Sequence, residues 1–145
     1  LTYCFKDHLY PGVPKISLHT IHPHEELQIN ELKIVPLRIM HDKLPILGFK
    51  IGKLAYITDM KTIPEEELDF LQDIDCLVVN ALRFTNAHHS HMLIDEALAF
   101  ARRTSAKRVF FTHMCHDIGL HEEVNKILPA GTQLAYDGLT VEVDV

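Results

Sequence analysis

Two short apolar runs on either side of an amphipathic segment constrain the fold of this chain more than any other feature. The runs DCLVVNAL (residues 75–82) and KRVFFTH (107–113) are nearly continuous in apolar residues, which is typical of strands buried on both faces. Between them, IDEALAFARRTS (94–105) repeats apolar residues at helical spacing and predicts a helix with one inward stripe. Because a helix between two such strands makes a parallel crossover, the sequence predicts a layered α/β fold.

The segments around this β-α-β unit predict antiparallel hairpins before it and shorter elements after it. Alternating apolar and polar residues indicate the strands, and Pro64 with the acidic residues behind it indicates a helix start. The expected elements are a strand at 15–21, a hairpin at 27–41 turned by Asn30-Glu31, a hairpin at 46–59 turned by Gly52-Lys53, helices at 63–74 and 121–128, and a final hairpin at 132–145 turned by Asp137-Gly138. This order, hairpins followed by β-α-β-α-β, excludes a helical bundle and an all-β barrel.

Composition limits the classes of function. The 145 residues, 47% of them hydrophobic, suffice for one domain with a sizeable core. The 14 Lys+Arg against 20 Asp+Glu give a formal net charge of -6, so there is no general attraction to nucleic acid or an anionic membrane. No apolar run approaches the roughly 20 residues of a membrane span, and the first residues lack a signal-peptide pattern. Cys4, Cys76 and Cys115 are odd in number and have no CxxC spacing, which favours a reducing cytoplasm.

Four polar side chains lie just past apolar strands, where layered α/β proteins assemble their sites. His41 follows IVPLRIM, Asp59 follows LAYIT, His113 follows VFFT, and His91 lies in the loop TNAHHSH. A rigid sheet fixes the positions of such residues while the loops supply variety. Three imidazoles and one carboxylate suit a borderline-soft divalent ion such as zinc. We therefore expect these four residues to converge on a metal site at one edge of the sheet.

Each histidine and acid also has a simpler interpretation. A single histidine after a strand is commonly a capping or solvated residue, and Asp59 in TDM can merely end its strand and begin a turn. Only the joint pattern of four residues favours a metal. Other histidines have no partner pattern, so His8, His19 and His121 are expected at the surface, and His88 is expected to be a loop residue.

A second pair of histidines imitates a metal-binding motif. His22-Pro-His24 begins like the His-x-His-x-Asp-His motif of binuclear hydrolases, but Glu26 and Leu27 stand where the aspartate and the last histidine belong. We therefore expect His22 and His24 not to form a ligand pair.

The chain resembles one protein family over nearly its whole length. The stretches that carry the resemblance are YPGVPKISLHTI, MHDKLPILGFKIGKLAYITDM, NALR, HSHMLIDEALAFARR, RVFFTHMCHDIG and LAYDGLTVEV. They are similar to the latter half of metallo-β-lactamase-fold hydrolases, and within these to the phosphoribosyl cyclic phosphate phosphodiesterases, relatives of the transfer-RNA 3′-processing endonuclease tRNase Z. The resemblance implies the latter half of an αββα sandwich that binds two divalent metal ions, zinc or manganese, in the intact protein.

The resemblance also implies a role for each candidate residue. His41 resembles the histidine ligand of one metal, Asp59 the carboxylate that bridges both metals, and His113 the last histidine ligand. His91 resembles the histidine that protonates the leaving group, a task for which an imidazole pKa near neutrality is suited. The expected catalytic pair is thus Asp59 and His91, and His116 is expected to buttress the loop behind His113.

The first metal-binding motif of the family has no match in this chain. Together with Leu1 in the place of a methionine, this predicts that residues 1–145 are the C-terminal portion of a single metallo-β-lactamase-fold domain. The N-terminal portion, with its His-x-His-x-Asp-His motif, would supply the other ligands. We expect the present chain alone to be inactive and to bind metal weakly or not at all. We also expect it to associate with itself, or with that N-terminal half, through an apolar sheet face.

Three functions remain open from the sequence. The first is hydrolysis of a cyclic or small phosphodiester by the intact metal-dependent protein, with that small molecule as partner, no membrane and no strong nucleic-acid signal. The second is hydrolysis of a carboxylic ester or thioester by the same fold, because fold does not fix function. The third is a non-catalytic half-domain. His91 favours the first, since thioester hydrolysis in this fold needs no such acid.

Overall fold

The strands of the chain form one mixed sheet in the computed structural model, which describes Gly12 and residues 16–144. The strands are β1 (Leu27–Ile29), β2 (Leu32–His41), β3 (Leu44–Ile51), β4 (Leu54–Ile57), β5 (Cys76–Asn80), β6 (Arg108–Thr112) and β7 (Thr132–Leu134). They lie side by side in chain order, antiparallel from β1 to β4 and parallel from β4 to β7. The predicted α/β class, hairpins followed by β-α-β units, is confirmed.

Three tight turns connect the antiparallel strands, and the sequence predicted two of them. Asn30 and Gly52 turn the first and third hairpins with φ of 53° and 54°. The middle turn, at Asp42 (φ 55°), was not predicted. The turn lets Ile34–His41 of β2 pair with the whole of β3, so His41 is the last residue of a long, rigid strand.

The helices pack against one face of the sheet and close a single core. They are α1 (Ile94–Ala101) and α2 (His121–Ile127), with 3₁₀ helices at Glu65–Leu71 and His116–Ile118. The buried side chains of this core include Leu37, Ile39, Ile57, Leu77, Val79, Phe111 and Leu134 from the sheet and Leu71, Ile94, Phe100 and Val124 from the helices. Each contributes about 1.5–3 kcal/mol when fully buried. This layer therefore holds the parallel strand ends in fixed positions.

The expected helix at 63–74 is a shorter 3₁₀ helix, Glu65–Leu71, and a long-range contact ties it to the segment before β1. The Glu67 side chain is fully buried, and His24 Nε2 lies 2.9 Å from both of its carboxylate oxygens. The His24 ring also stacks on Phe70, with ring centroids 4.7 Å apart. His24 thus anchors the segment before β1 to this helix. The imidazole has a structural role there, and the sequence did not predict it to be a metal ligand.

Two of the expected strands are wrong in the part of the chain that the structure describes. Residues 16–21 form no strand, and Lys15 lies outside the described residues. After β7 the chain turns at Gly138 (φ 91°), and residues 139–144 form no hairpin with it. The C-terminal segment instead meets the other end of the sheet, where the Lys53 N–H donates to the Asp144 carbonyl at 2.9 Å. Tertiary hydrogen bonds therefore override the local hairpin signal.

The second face of the sheet carries an apolar groove of about 270 Å³. Tyr56, Val78 and Phe110 lie side by side in register on this face, and Leu139 lines the groove from the C-terminal segment. Tyr56 remains 46% exposed. The face opposite the helices is therefore covered only in part by the residues that the structure describes.

Two further sequence-based expectations concern the cysteines and the membrane. Cys76 and Cys115 are free thiols, while Cys4 lies outside the described residues. Burial raises the pKa of the Cys76 thiol, which keeps it protonated and unreactive at neutral pH. Among the described residues, none of the helices has both the length and the apolar character needed to cross a bilayer.

Candidate functional site

Two sharp backbone turns direct side chains to the carboxyl edge of the parallel strands. Asp59 follows β4 with φ of 61°, and His113 follows β6 with φ of 59°. A positive φ is uncommon outside glycine, and such strain is concentrated at functional sites. Because β4 and β6 are both parallel to β5, the two turns lie at the same edge of the sheet.

The four residues predicted from the sequence are brought together around the Asp59 carboxylate. The Oδ1 atom of Asp59 lies 3.3 Å from His91 Nε2 and 3.5 Å from His113 Nδ1. The His91 ring stacks on His113 with centroids 4.5 Å apart, and it meets the edge of the His41 ring at 4.8 Å. Ligand atoms of His41, Asp59 and His91 all lie within 4.8 Å of one another. Convergence of side chains does not assign their roles, which remain predictions.

The membership of this cluster differs in one respect from the expected ligand set. The sequence predicted His41, Asp59 and His113 as metal ligands and His91 as the proton donor. In the structure the compact triad is His41, Asp59 and His91, whereas His113 contacts the same Asp59 Oδ1 atom as His91, at 3.5 Å. The geometry is therefore compatible with His91 as a ligand as well as an acid.

Electrostatics keep the Asp59 carboxylate ionised. Burial by itself would raise the pKa of Asp59, but the hydrogen bond from His91, the charge of His113 and a hydrogen bond from Thr58 outweigh it and hold the pKa below its usual value. The side chain is 40% exposed, so the carboxylate remains accessible. An ionised, accessible carboxylate is the form that binds a cation.

The His91 imidazole is held in its neutral form. Burial lowers the pKa of His91, the hydrogen bond to Asp59 opposes this, and the charges of His113, His41 and His88 lower the pKa further. Its side chain is only 13% exposed. A neutral imidazole beside an ionised carboxylate is the protonation state that metal binding requires, because a ligand must offer a lone pair.

The far side of the His91 ring contacts two residues that the sequence did not single out as functional. His91 Nδ1 lies 3.1 Å from His88 Nδ1 and 3.1 Å from Ser90 Oγ, and Ser90 is buried. His88 was expected to be a plain loop residue, but it lies against the candidate site. The repeat of histidines three residues apart in HHSH was the signal that could have revealed it.

Two other residues support the segment that carries Asp59. The buried Asn80 side chain hydrogen-bonds both backbone groups of Met60, the residue after Asp59. The Lys61 ammonium donates to both carboxylate oxygens of Glu96, at 2.8 and 2.9 Å. Asn80 is the last residue of the apolar strand β5 and so fits the strand-end pattern, whereas Lys61 does not.

The other expectations about histidines have mixed outcomes. His116 was expected to buttress the loop behind His113, and this is wrong, because its side chain is fully solvent-exposed and meets only Asp117 at 3.3 Å. His121 was expected at the surface, and it does lie there, with its Nε2 also 3.1 Å from the Leu134 carbonyl oxygen. His8 lies outside the described residues.

The fold and the site define a member of a known superfamily. The model of the β-lactamase superfamily domain matches residues 2–114, and the chain belongs to this family. Within it, the chain has the metallo-β-lactamase fold, and its likeness to a protein of the PhnP family agrees with the sequence resemblance.

Particular relatives agree on the fold and differ in their names. A crystal structure of a diphosphatase from the PhnP family has a TM-score of 0.84 and 37% identity, over 89% of this chain and 50% of that one. The short form of human tRNase Z has a TM-score of 0.63 over 82% of this chain and 45% of that one, and at 18% identity it shows the fold alone. A Porphyromonas gingivalis (strain ATCC BAA-308 / W83) protein named octanoyltransferase is 39% identical over 99% of this chain but only 29% of its own length.

The length of these matches limits what they transfer. The chain spans about half the length of the solved relatives and less than a third of the curated one. The name octanoyltransferase describes a protein most of which lies outside the match. The shared segment therefore establishes the family, while the substrate has to be argued from the site.

Proposed function

We propose that this chain supplies part of the active site of a metal-dependent phosphodiesterase that acts on a cyclic or small phosphodiester. The observation that carries the proposal is the Asp59 carboxylate, whose Oδ1 atom contacts both the His91 and the His113 imidazoles at the accessible edge of the sheet. The likeness to a diphosphatase of the PhnP family supports chemistry at phosphorus. The net charge of -6 fits a small substrate better than a polynucleotide.

The donor set fits divalent metal ions. His41, Asp59 and His113 would hold them, with Asp59 shared between two ions as the family resemblance implies. Imidazole nitrogens and a carboxylate oxygen are ligands for zinc and also accept manganese. When bound, such ions supply Lewis acidity toward a phosphoryl oxygen and lower the pKa of water. The negative charge of Asp59 would offset part of theirs.

His91 would transfer a proton to the leaving oxygen after taking up a second proton from water, because its ring is neutral in the metal-free site. Its Nε2 faces the site beside Asp59, while Ser90 and His88 contact Nδ1 and fix the orientation of the ring. General acid catalysis by a positioned imidazole contributes about 10²–10⁴-fold to the rate. Alternatively, Nε2 of His91 binds the metal directly, and it then has no proton to transfer.

The activity is proposed for a longer protein. Since this chain corresponds to half of its solved PhnP-family relative, we propose that residues 1–145 are the C-terminal portion of the domain and that the other half contributes the remaining ligands. The present chain alone would then bind zinc or manganese weakly and turn over negligible substrate. We place the intact protein in the cytoplasm on its cysteine pattern.

Acyl chemistry is the second candidate. The name of the Porphyromonas gingivalis relative points to octanoyl groups, although the match covers only 29% of that protein. A thioesterase or esterase of the same fold would use the same metal ligands and would not need His91 as an acid.

The test uses the intact protein with added zinc or manganese, bis(p-nitrophenyl) phosphate as the phosphodiester and an octanoyl thioester as the acyl substrate. We expect phosphodiester turnover, with Asp59→Asn losing both metal and activity. On a phosphodiester with an alkoxide leaving group, which needs a proton to depart, His91→Ala should keep its metal and lose about 10²–10⁴-fold in kcat. His116→Gln is the matched control, because this exposed imidazole lies outside the cluster.

Three other outcomes would redirect the proposal. Thioester turnover without phosphodiester turnover would establish the acyl candidate. Metal loss in His91→Ala would make His91 a ligand. If the metal-loaded intact protein turns over neither substrate, the third possibility remains, in which the chain is a non-catalytic half-domain.

A further inference from the structure

Lys61 is attached to all three segments that carry the compact part of the site. It is two residues from Asp59 along the chain. Its backbone N–H donates to the Met40 carbonyl at 2.7 Å, directly beside His41, and the Met40 N–H returns a bond to Thr62 at 2.9 Å. A short antiparallel bridge between Met40 and Thr62, next to Lys61, therefore fixes the spacing between the end of β2 and the Asp59 turn.

The side chain of Lys61 makes the third attachment. Its ammonium donates to the backbone carbonyl of His91 at 3.3 Å and to both Glu96 oxygens at 2.8 and 2.9 Å. Glu96 in turn accepts the Leu93 N–H at 2.7 Å, at the start of α1. One ammonium group thus joins the Asp59 segment to the loop that carries His91 and to the helix that follows it.

We propose that Lys61 is a positioning residue that sets the distance between Asp59 and His91 in the candidate metal site. The inference rests on the proposed function and adds to it a residue that touches neither metal nor substrate. Ion pairs that are partly exposed add little to stability, and Lys61 is 20% exposed with Glu96 at 45%. Loss of the Lys61 side chain should therefore change the geometry of the site more than the stability of the fold.

A direct substrate contact is the competing role for a lysine near a phosphate site. The Nζ atom is already engaged by two carboxylate oxygens and a carbonyl, which together use its three hydrogens. A positioning residue should change kcat and metal affinity, whereas a substrate-binding residue should change KM. The split between these quantities separates the two roles.

The experiment compares Lys61→Met and Lys61→Arg in the intact protein, with Lys50→Met as the matched control. Lys50 lies on β3, away from the cluster, donates to Asp73 at 2.6 Å and is 18% exposed. Lys50→Met therefore removes a similar ion pair. We measure zinc affinity by competition with a chelator, then kcat and KM for the phosphodiester. Removing an outer support of a metal ligand lowers metal affinity or activity about 10–100-fold.

We expect Lys61→Met to lose about 10–100-fold in zinc affinity and in kcat, with KM unchanged. Lys61→Arg should recover part of the loss, because a guanidinium can also bind a carboxylate. Lys50→Met should match the wild type. Equal zinc affinity and kcat in Lys61→Met and Lys50→Met would overturn the proposal, as would a rise in KM alone. If Lys61→Met does not fold, Glu96→Gln gives the same comparison. If the wild type hydrolyses no phosphodiester, the proposed function fails while the zinc affinities still decide the role of Lys61.

Discussion

The Asn80 carboxamide pairs with the backbone of Met60 through two hydrogen bonds. Its Oδ1 accepts the Met60 N–H at 2.7 Å, and its Nδ2 donates to the Met60 carbonyl at 2.9 Å, with Asn80 fully buried. Met60 directly follows Asp59, whose φ is 61°. Asn80 therefore holds in place the strained turn that presents the Asp59 carboxylate at the sheet edge.

Replacing Asn80 by leucine should destabilise the protein and weaken metal binding together. Asn80→Leu leaves the Met60 N–H and carbonyl buried without these partners, and each such group costs about 1–3 kcal/mol. We expect the free energy of unfolding to fall by about 3 kcal/mol, measured by urea denaturation, and zinc affinity to fall with it.

The control for Asn80→Leu is Gln72→Leu. Gln72 also makes two side-chain hydrogen bonds to backbone carbonyls, those of Leu68 and Arg103 at 3.0 Å each, but it is exposed. Its loss should change stability by no more than about 0.5 kcal/mol. Equal effects of the two substitutions would show that Asn80 does not support the turn.

The fold was predictable because its strongest signals are local. The apolar runs at 75–82 and 107–113 can be satisfied only inside a sheet, and the helical spacing between them fixes a parallel crossover. The final hairpin at 132–145 failed for the opposite reason. Its Asp137-Gly138 signal is local, but bonds from Lys53 and Arg108 to the C-terminal segment decide where that segment lies.

The site was predictable as far as strand ends reveal it. His41, Asp59 and His113 could be found because an apolar strand marks the point at which each is presented. Asn80 ends the apolar strand β5 and was missed although it carries the same signal, whereas Lys61 could not be found, since its partner Glu96 is 35 residues away. Periodicity predicts which face a residue occupies and carries no information about which distant side chain it meets.

Replacing His113 by glycine should separate stability from metal binding. His113 has φ of 59°, a conformation that costs an L-residue about 1–2 kcal/mol and glycine nothing. Glycine is also more flexible when unfolded, so we expect His113→Gly to raise the free energy of unfolding of the metal-free protein by up to about 1 kcal/mol. Zinc affinity should fall because an imidazole is lost.

The matched comparison for this prediction is His113→Ala. It removes the same imidazole but keeps the strained backbone, so it should lose zinc affinity equally without the gain in stability. Thermal unfolding of both variants without metal is the measurement. An alanine variant as stable as the glycine variant would show that the turn at His113 is not strained.

Stability of the metal-free protein should fall on mild acidification, partly through His91. Burial lowers the pKa of His91 below the 6.5 of a free imidazole. As pH falls through 6.5 the unfolded chain binds this proton before the folded chain does. The contribution of His91 is therefore complete above that pH and is lost as pH falls toward the folded pKa.

The variant that isolates this effect is His91→Gln. Between about pH 7.5 and about pH 5.5, it should lose less stability than the wild type, as measured by urea denaturation in the presence of a chelator. His116→Gln should keep the wild-type slope, since that ring is solvent-exposed. Parallel slopes for the wild type and His91→Gln would contradict the prediction.

The last prediction concerns the groove lined by Tyr56, Val78, Phe110 and Leu139. We predict that the 145-residue chain prepared alone associates with a second copy through this face, and that in a longer protein the other half of the domain covers it. Apolar surface of this kind is seldom left open in monomers.

Burying one large apolar side chain contributes about 2 kcal/mol, or about 30-fold in a dissociation constant. Tyr56→Lys should therefore weaken association by at least that factor in sedimentation experiments. Ile127→Lys, at an exposed apolar position on α2 away from the groove, should leave it unchanged. A wild-type chain that stays monomeric at micromolar concentration would show that this face needs no partner.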